Sequence, residues 1–359
     1  MPRLRGAALL LVAPVAAGAL ALAVAAVVLA AAGANPGATL REALAYGLRP
    51  DTLVAVVNKA IPYYLAGIAA AVGFHLRLFN IGIDGQYRLA AFAAAVVGST
   101  VALPAPLHLA LIVVVALLVG AGWAAIAGLL YVRRRVNVVI STIMLNAIAT
   151  GLVAWLLAPG RLGHLAPGSN NVTTGPIAES GWIPAIPTPA GSLNGLIVLA
   201  ALVGIGYWFV LNRTTIGFEV RAMGFSERAA SVAGIKASRL ALLTMAASGA
   251  IAGFVGLPQL LGASHRFGLD FPAGLAFTGL SVAILGRNHP IGVAVGAFVW
   301  AFLERSAQVL DLAGISREIV TILQAVIVLS IVIAYELVRR ARSRQERRAV
   351  ARAVEGAAA

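Results

Sequence analysis

Long uninterrupted runs of apolar residues constrain what this sequence can fold into more than any other feature. Most of the runs are about 18–26 residues long, the length of an α-helix that crosses roughly 30 Å of hydrocarbon. Backbone groups in lipid must satisfy one another, so runs of this kind have to be helical. A membrane β-barrel would alternate polar and apolar residues, whereas these runs are continuous. The sequence therefore predicts an all-α integral membrane protein.

The composition of the 359 residues fits a chain that lies mainly in lipid. Hydrophobic residues make up 60% of the sequence and charged residues 11%, whereas a soluble domain carries roughly 25% charged residues. A net charge of +14 is also typical of nucleic-acid-binding proteins. Here, however, the charges lie at the ends of the apolar runs, where they orient a membrane protein. The absence of cysteine excludes a disulfide framework and thiolate chemistry.

About ten apolar runs lie between charge and turn signals, and each is a predicted transmembrane helix. The predicted spans are residues 7–32, 52–74, 85–102, 107–131, 137–158, 193–211, 239–262, 272–286, 290–304 and 318–338. The eighth and the ninth are only about 15 residues long, so we expect them to be irregular or to cross half of the membrane. Together, residues 1–338 are expected to form one transmembrane domain.

The distribution of basic residues predicts which side of the membrane each loop faces. If the N-terminus is cytoplasmic and ten helices alternate, 20 of the 27 Lys and Arg residues lie on the cytoplasmic side. Both termini are therefore expected in the cytoplasm. The first run also resembles a secretory signal peptide, but the apolar core of such a peptide is about 7–15 residues long and this run is longer. The favoured interpretation of residues 7–32 is a retained, extra N-terminal helix.

Two segments outside the predicted helices have distinct compositions. Residues 159–192 are rich in Pro, Gly, Ser, Thr and Asn and nearly free of positive charge. They predict an ordered extracytoplasmic loop, which either covers a pathway or simply connects two helices. Residues 339–359 form a basic cytoplasmic tail, and such a tail is more often a surface anchor for acidic lipid headgroups than a specific binding site.

The segment from Phe79 to Gln86 interrupts the hydrophobic pattern with glycines and polar side chains between the second and third spans. A break of this kind is tolerated only against protein or a water-filled cavity. Asp84 would cost roughly 2.5–3.5 kcal/mol at the centre of a bilayer, so it must lie near the interface or be paired, with Arg77 or Arg88 as the candidates. Two interpretations remain open: a structured turn beside a pathway, or a loop whose aspartate stabilises the start of the next helix.

The predicted cytoplasmic loop at 212–238 mixes charges of both signs with apolar residues that a solvated connector would not need. Within it, residues 226–232 predict a short helix, with Ser226 at its start, Glu227 in its first turn and Gly234 just beyond its end. A short amphipathic helix under the membrane is a docking surface for a cytoplasmic partner. A helix on the lipid surface is the alternative, although it would normally carry more Lys and Arg on its polar face.

Glycine spacing predicts where helices approach closely. Gly249 and Gly253 are four residues apart, as are Gly292 and Gly296, and such pairs let helix backbones come near each other. The polar turn at 286–290 predicts a cytoplasmic hairpin between the eighth and ninth spans.

No catalytic motif is present. The sequence has no Walker A phosphate loop and no paired Cys or His-x-x-x-His spacing for a metal. It also has no Gly-x-Ser-x-Gly nucleophile elbow. We therefore expect a transport subunit rather than an enzyme; if ATP drives the transport, a separate subunit hydrolyses it.

Residues from about 50 to 338 resemble the permease subunits of ABC importers, in the branch that handles branched-chain amino acids, simple sugars and nucleosides. Asn80–Gln86 reads Asn-Ile-Gly-Ile-Asp-Gly-Gln and is similar to that branch's Asn-Ile-Gly-x-Glu-Gly-Gln, with Asp84 where Glu is usual. The rest of the resemblance is carried by three segments: 213–221, 248–253 and 286–290. The last of these, with the extra N-terminal helix and the extracytoplasmic insert, is most similar to nucleoside (guanosine-type) permeases.

The resemblance implies an assembly in the bacterial inner membrane. A second permease subunit, often a different chain, would pack beside this one, two cytoplasmic ATPase subunits or domains would bind ATP and Mg²⁺, and an extracytoplasmic substrate-binding protein would deliver the solute. This chain itself would then hold no cofactor. The resemblance also implies a fold of two inverted halves and a loop that couples the ATPase to alternating access. The coupling residues that it implies are Gly217, Glu219, Arg221, Glu227, Arg228 and Gly234.

A nucleoside is neutral, with a flat base and a polar sugar, so its pathway needs hydrogen-bonding groups and an aromatic wall. The candidate pathway residues are Phe79, Asn80, Asp84, Gln86 and Asn146, although helix packing is the simpler role for each residue taken singly. A simple-sugar permease is the alternative within the family. An ion-gradient-driven transporter would need carboxylates or a broken helix at the midplane, and a membrane scaffold would not need the polar, glycine-broken segments.

Overall fold

The computed structural model describes residues 19–20, 22–31, 33, 35–165, 168 and 170–312, and the single positions 321, 322, 325, 326, 329, 330, 333, 337 and 340. It forms two compact units, one of Met1–Thr52 with Phe302–Ala359 and the other of Leu53–Ala301. Most of the predicted tenth span, nearly all of the basic tail and about half of the predicted first helix fall outside the described residues.

In the first unit, the described helices near the N-terminus are α1 (Leu22–Ala31) and α2 (Pro36–Gly47). The side chain of Asn35 caps α2, since its Oδ1 accepts hydrogen bonds from the N–H groups of Gly37 and Ala38. The sequence predicted α1 in part but not α2, which is only weakly apolar.

The second unit carries most of the helices. They are α3 (Pro50–Phe74), α4 (Ile83–Thr100), α5 (Ala105–Arg134), α6 (Val138–Leu156), α7 (Ile197–Arg213), α8 (Thr215–Phe225), α9 (Glu227–Val232), α10 (Ala237–Gly253), α11 (Leu257–Gln259), α12 (Leu275–Leu285) and α13 (Pro290–Leu312), of which α3 and α13 extend into the first unit. A π-helical stretch, Leu260–Ser264, follows α11 and prolongs the same rod.

Five helices in the described part of the chain are long and apolar enough to cross a membrane, or up to seven if each of two bent pairs counts as one span. The five are Pro50–Phe74, Ala105–Arg134, Val138–Leu156, Ala237–Ser264 and Pro290–Gln308. The chain is therefore a multi-pass membrane protein. The total of ten spans, the cytoplasmic termini and the inverted halves stay predictions.

The two short predicted spans turn out to differ from each other. α12 has 11 residues, which is roughly 16 Å of helix and about half of the hydrocarbon thickness, as its sequence predicted. The predicted end of the ninth span at 304 is wrong, because α13 continues to Leu312. Its polar residues do not end the helix: Arg305 Nη1 donates to Gln308 Oε1 at 2.8 Å, one turn further along the same face.

The glycine pair of α10 packs against α5, as predicted. A Cβ atom at Gly253 would overlap the carbonyl oxygen of Ala116, and one at Gly249 would overlap the carbonyl oxygen of Gly120. Because none of these glycines has a side chain, the two backbones lie in direct contact.

The loop after α6 is ordered. It contains two short antiparallel hairpins, β1 (His164–Leu165) with β2 (Val172–Thr173) and β3 (Ala185–Thr188) with β4 (Gly191–Asn194). The loop is docked onto the chain that follows the π-helical stretch, through the N–H groups of Thr174 and Ile177, which donate to the carbonyl oxygens of Phe267 and His265 at 2.8 Å each. It is thus more than a plain connector, because it covers the end of that rod.

Candidate translocation and coupling sites

The chain reverses sharply between α3 and α4, over residues 75–82, which we call the first break. The N–H of Leu78 donates back to the carbonyl oxygen of Gly73 at 3.0 Å, and a Cβ atom at Gly73 would overlap the carbonyl oxygen of Leu78. Arg77 has the left-handed backbone angle φ 58°. A glycine at position 73 is therefore what allows the helix to end in so tight a turn.

Asn80 lies at the centre of the first break and is completely buried. Its Nδ2 donates to Gln86 Oε1 at 3.0 Å and to Ser248 Oγ at 2.9 Å. Its Oδ1 accepts from Gln86 Nε2 and from the N–H of Gly82, both at 3.0 Å. Ser248 in turn donates to the carbonyl oxygen of Ala69 at 2.6 Å. The side chain of Asn80, directly and through Ser248, therefore joins α3, α4 and α10.

Asn146 fastens the same break from α6. Its Oδ1 accepts from the N–H of Gly85 at 2.8 Å, and its Nδ2 donates to the carbonyl oxygen of Ile81 at 2.9 Å. The N–H of Gly85 belongs to the first turn of α4, where it has no partner within its own helix. We call Asn80, Gln86, Asn146 and Ser248 the amide cluster.

The amide cluster satisfies its own polar groups with protein partners. Asn80 and Gln86 are 0% and 1% exposed, and a neutral hydrogen-bonded network is the form in which polar groups are stable in a low-dielectric interior. In this conformation the amides of Asn80, Gln86 and Asn146 hold helices together. Contact of these residues with a solute stays a prediction.

Asp84 has partners, but they are neither of the two arginines that the sequence offered as candidates, Arg77 and Arg88. Its Oδ1 instead accepts from the N–H groups of Gly274 and Ala276, at 3.1 and 3.3 Å. These two groups belong to the start of α12, where Gly274 offers no side chain to cap the helix. A carboxylate is favourable at the positive end of a helix, so the aspartate caps a helix as one interpretation allowed, but that helix is α12 rather than its own.

Asp84 thereby joins the first break to a second one. Residues 265–274, between the π-helical stretch and α12, have no helical structure, and we call them the second break. Beside Asp84, the hydroxyl of Tyr87 donates to the carbonyl oxygen of Pro272 at 2.7 Å. Two interruptions that are 190 residues apart in the chain therefore meet at the beginning of α4.

Phe79 differs from the other candidate pathway residues because its side chain is 48% exposed. Its ring packs edge-on against Phe74, with the ring centroids 5.0 Å apart. Its exposure keeps Phe79 as a candidate for an aromatic wall.

Two cavities among the described residues bear on the question of a solute pathway. A cleft of about 730 Å³ between α3, α7 and α13 is walled mainly by apolar residues such as Ile61, Ile205 and Phe298. A smaller cavity of about 440 Å³ lies beside α8 and α9, lined by Arg77, Tyr131 and Glu227 among others. None of the five candidate pathway residues lines either cavity. The larger one has few side chains that can hydrogen-bond, namely Tyr64, Trp208 and His289.

The predicted coupling loop is more helical than its sequence indicated. The short helix expected at 226–232 is confirmed as α9: Ser226 Oγ accepts from the N–H of Ala229 at 3.3 Å, and Gly234 follows with φ 85°. α8 was not predicted, because Thr, Ile and Gly in its first turn are weak helix formers. Its packing explains it: Val220 and Met223 are buried in one cluster with Ala230 and Leu240.

The residues implied in coupling fall into two groups. Gly217 is buried at a 73° bend between α7 and α8, where a Cβ atom would overlap the carbonyl oxygens of Val210 and Leu211. The charged members are half-buried or exposed: Glu219, Arg221, Glu227 and Arg228. We call the segment Thr215–Val232 the coupling segment. Four of its large apolar side chains are also exposed: Ile216 by 42%, Phe218 by 63%, Phe225 by 95% and Val232 by 86%.

Ser248 and Tyr87 are site residues that the sequence did not single out. Ser248 was visible only as one member of a run of small residues in α10, and Tyr87 as an aromatic residue in an apolar helix. The signal that points to Ser248 is a polar side chain directly before the close-packing glycine pair Gly249 and Gly253. For Tyr87 the sequence gives no such signal, because its partner is a backbone carbonyl in a distant loop.

Comparison with known proteins identifies the family to which the chain is similar. Residues 52–332 match the family described as branched-chain amino acid transport system / permease component. The chain is 33% identical over 287 residues to the guanosine ABC transporter permease protein NupP of Bacillus subtilis, covering 78% of this chain and 81% of that protein. It is 32% identical over 290 residues to the glucose ABC transporter permease of Haloferax volcanii, covering 78% and 76%.

The nucleoside ABC transporter permease protein NupB of Lactococcus lactis is a further relative, 29% identical over 285 residues, with 76% of this chain and 77% of that protein covered. No solved structure is significantly similar to the chain. The helices thus define a multi-pass membrane protein, and the relatives are transport components. The chain belongs to the branched-chain amino acid transport permease family, and within it to the ABC permeases for sugars and nucleosides.

Proposed function

We propose that this chain is the permease subunit of an ATP-driven importer and that its solute is a nucleoside. The observation that carries the solute class is the similarity to the guanosine permease of Bacillus subtilis, 33% identical over four-fifths of that protein. The nucleoside permease of Lactococcus lactis supports the same class. Because a nucleoside is neutral, a pathway without a fixed counter-charge suits it; Asp84, the carboxylate nearest the first break, is already used by the start of α12.

A simple sugar is the second candidate solute. The glucose permease of Haloferax volcanii is almost as similar to this chain as the guanosine permease, and a sugar also needs hydrogen-bonding groups without charge. A nucleoside carries a flat base and a simple sugar does not, so an aromatic wall at Phe79 favours a nucleoside. An ion-gradient-driven carrier is disfavoured by membership of an ABC permease family.

The proposed assembly has four kinds of component. This chain and a second permease, a different chain by analogy to the nucleoside branch, would form the pathway in the bacterial inner membrane. Two ATPase subunits or domains would bind ATP and Mg²⁺ and dock on the coupling segment, whose exposed Phe218, Phe225 and Val232 form an apolar surface suited to a protein partner. An extracytoplasmic binding protein would deliver the solute.

The first test is a pull-down of the tagged chain after gentle solubilisation of its native membrane, with its companions identified by mass. We expect an ATPase subunit and a second permease to be recovered. Uptake by the same membranes as sealed vesicles should require ATP, and excess guanosine should compete with a labelled nucleoside more strongly than excess ribose or glucose. Recovery of the chain alone, in a form that moves solute in liposomes without ATP, would contradict the proposal.

Docking of the ATPase on the coupling segment can be tested at the exposed side chain of Phe225. Phe225→Ser should reduce the amount of ATPase that is recovered and should lower ATP-dependent uptake, because a buried aromatic anchor contributes roughly 2 kcal/mol or more to an interface. Replacement of Glu219 or Arg221, or deletion of residues 226–232, should likewise uncouple ATP hydrolysis from uptake. The matched control is Leu165→Ser, a change of a side chain that is 63% exposed in the loop after α6. Equal recovery of ATPase by Phe225→Ser and by the control would exclude docking at this surface.

A further inference from the structure

α12 is a short helix that is fastened at both ends. At its start, the N–H groups of Gly274 and Ala276 donate to the carboxylate of Asp84. At its end, the N–H of Asn288 donates to the carbonyl oxygen of Ala283 at 3.0 Å, and Asn288 has the left-handed angle φ 58°. Asn288 is therefore rigidly connected to the last turn of the helix.

The end of α12 is in turn held by Tyr207 of α7. The hydroxyl of Tyr207 donates to the carbonyl oxygen of Asn288 at 2.7 Å, and Nε2 of His75 lies 2.8 Å from the same hydroxyl oxygen. A phenol has one proton and a carbonyl has none, so the proton of Tyr207 must point to Asn288. Nε2 of His75 must then carry the hydrogen that Tyr207 accepts, which fixes the tautomer of the imidazole.

His75 lies directly against the coupling segment. A Cβ atom at Gly224 in α8 would overlap the carbonyl oxygen of His75, so the two backbones touch. Leu76, the next residue, packs with Val220 and Met223 of the same helix. Burial and the nearby Arg221 both lower the pKa of His75 below its ordinary value of 6.5. The histidine is thus neutral at pH 7 and donates through Nε2 alone.

Along its length α12 packs on small residues of α3. Gly279 faces Ala66 of α3 so closely that a Cβ atom there would lie 2.6 Å from the Cβ of Ala66, and a Cβ atom at Gly67 would lie 3.1 Å from Cγ1 of Val282. Turns flank the helix on both sides, with left-handed residues at Arg287 and Asn288 and the second break before Gly274. A short helix between two turns is suited to hinge or shear motion as a rigid body.

From these contacts we propose that α12 transmits motion of the coupling segment to the carboxylate cap of Asp84, beside the first break, and that Tyr207 is the positioning residue that connects α12 to the coupling segment. The order of contacts is α8, His75, Tyr207, Asn288, the body of α12 and finally Asp84 at the start of α4. Displacement of α8 by an ATPase would move the end of α12 and, through its rigid body, the carboxylate cap beside the amide cluster. This inference rests on the ATP-driven function proposed above.

The test uses the absence of cysteine from the chain. Phe277→Cys places a single thiol on α12, at a side chain that is 63% exposed. In the complete assembly in lipid nanodiscs, the rate of maleimide labelling is measured without nucleotide and with ATP plus vanadate. We expect nucleotide to change the rate. Adding Tyr207→Phe should reduce that response by about three- to tenfold, the effect of one neutral hydrogen bond on an equilibrium, while ATPase recovery is retained.

Matched variants separate positioning from simple stability. Tyr46→Phe, at a half-buried tyrosine of α2, should leave the response unchanged. His75→Gln retains an N–H donor for Tyr207 and should preserve the response, whereas His75→Leu should lose it at a similar unfolding temperature. A full response in Tyr207→Phe, or labelling that ignores nucleotide in an assembly that still takes up nucleoside with ATP, would overturn the role of α12 and leave the importer function intact. Absence of ATP-dependent uptake in the unsubstituted assembly would overturn both.

Discussion

The first break and the second break interrupt helices in the same unit of the chain, yet their backbone groups find partners in different ways. The first break is held by the neutral amides of Gln86 in α4, Asn146 in α6 and Asn80 in the turn itself. Each of these amides both donates and accepts, and Asn80 alone makes four hydrogen bonds. In the second break, the uncapped start of α12 depends on a single carboxylate oxygen of Asp84.

This difference indicates which break is fixed and which is able to move. An amide network with all its groups paired in a buried site loses several hydrogen bonds together if one member is displaced. A carboxylate that caps a helix from a neighbouring helix has a contact that can be lengthened or exchanged for water at a lower cost. The first break therefore serves as a rigid support, and the second as the side on which α12 can shift.

Asn80→Leu should give the largest effect, because it removes the centre of the amide cluster. The variant has a similar volume but leaves the amide of Gln86 and the N–H of Gly82 buried without their partner. We expect a loss of about 3 kcal/mol in the free energy of unfolding, measured by thermal or denaturant unfolding in detergent. Asn212→Leu is the control, since Asn212 is exposed and its side chain makes one hydrogen bond, to the carbonyl oxygen of Trp208. If both variants lost the same stability, the first break would not be the rigid one.

Asp84→Ala should have a smaller effect, about 1 to 2 kcal/mol, which is the usual worth of a helix cap. Asp84→Asn keeps an acceptor oxygen and should retain about half of that stabilisation, because only the charge is lost. The control is Asp270→Ala, a change of an exposed acid in the second break, which should cost less than about 0.5 kcal/mol. A large loss in Asp84→Asn would show that charge, rather than hydrogen bonding, holds the start of α12.

His265, the first residue of the second break, should give the smallest effect and one that depends on pH. Its ring stacks on Trp182 with the centroids 3.9 Å apart, and its Nδ1 is buried. Burial lowers the pKa of His265 below its ordinary value of 6.5, so the folded state favours the neutral ring. Its contribution to stability is therefore complete above about pH 6.5 and is lost as the pH falls through the lowered value.

The measurement compares unfolding temperatures at about pH 7.5 and about pH 5, on either side of the ordinary histidine pKa. Asn tolerates the left-handed backbone that His265 adopts, φ 50°, and does not titrate. His265→Asn should therefore lose less stability on acidification than the unsubstituted chain. An equal loss in both would assign the pH dependence to another histidine.

Much of the fold was predictable because the relevant signals are local. Apolar runs gave the positions of α3–α7, α12, the start of α13 and the rod Ala237–Ser264 to within a few residues. The capping residue Ser226 and the glycine at 234 marked α9 correctly. The ends of α13 and the existence of α8 were not predictable, because each depends on packing of polar or weakly helical residues. Arg305 and Gln308 pair along an exposed helix face, and Val220 and Met223 bury the inner face of α8.

The site was predictable in part. The sequence identified Asn80, Asp84, Gln86 and Asn146 as unusual, since polar residues in an apolar run must have partners. It did not identify those partners. The arginines expected beside Asp84 are near it in sequence, whereas the N–H groups that it binds are 190 and 192 residues away.

The sequence by itself determined that this protein is helical and crosses the membrane several times, because the hydrophobic effect and the cost of unpaired backbone in lipid act on every residue of a run. The resemblance of short motifs such as Asn80–Gln86 indicated the permease family. Only the tertiary structure decided that the two breaks meet, that Asp84 caps a distant helix and that Tyr207 joins α7 to the end of α12. Those contacts depend on the directions of single hydrogen bonds between segments far apart in the chain, and no local pattern encodes which donor a distant acceptor will face.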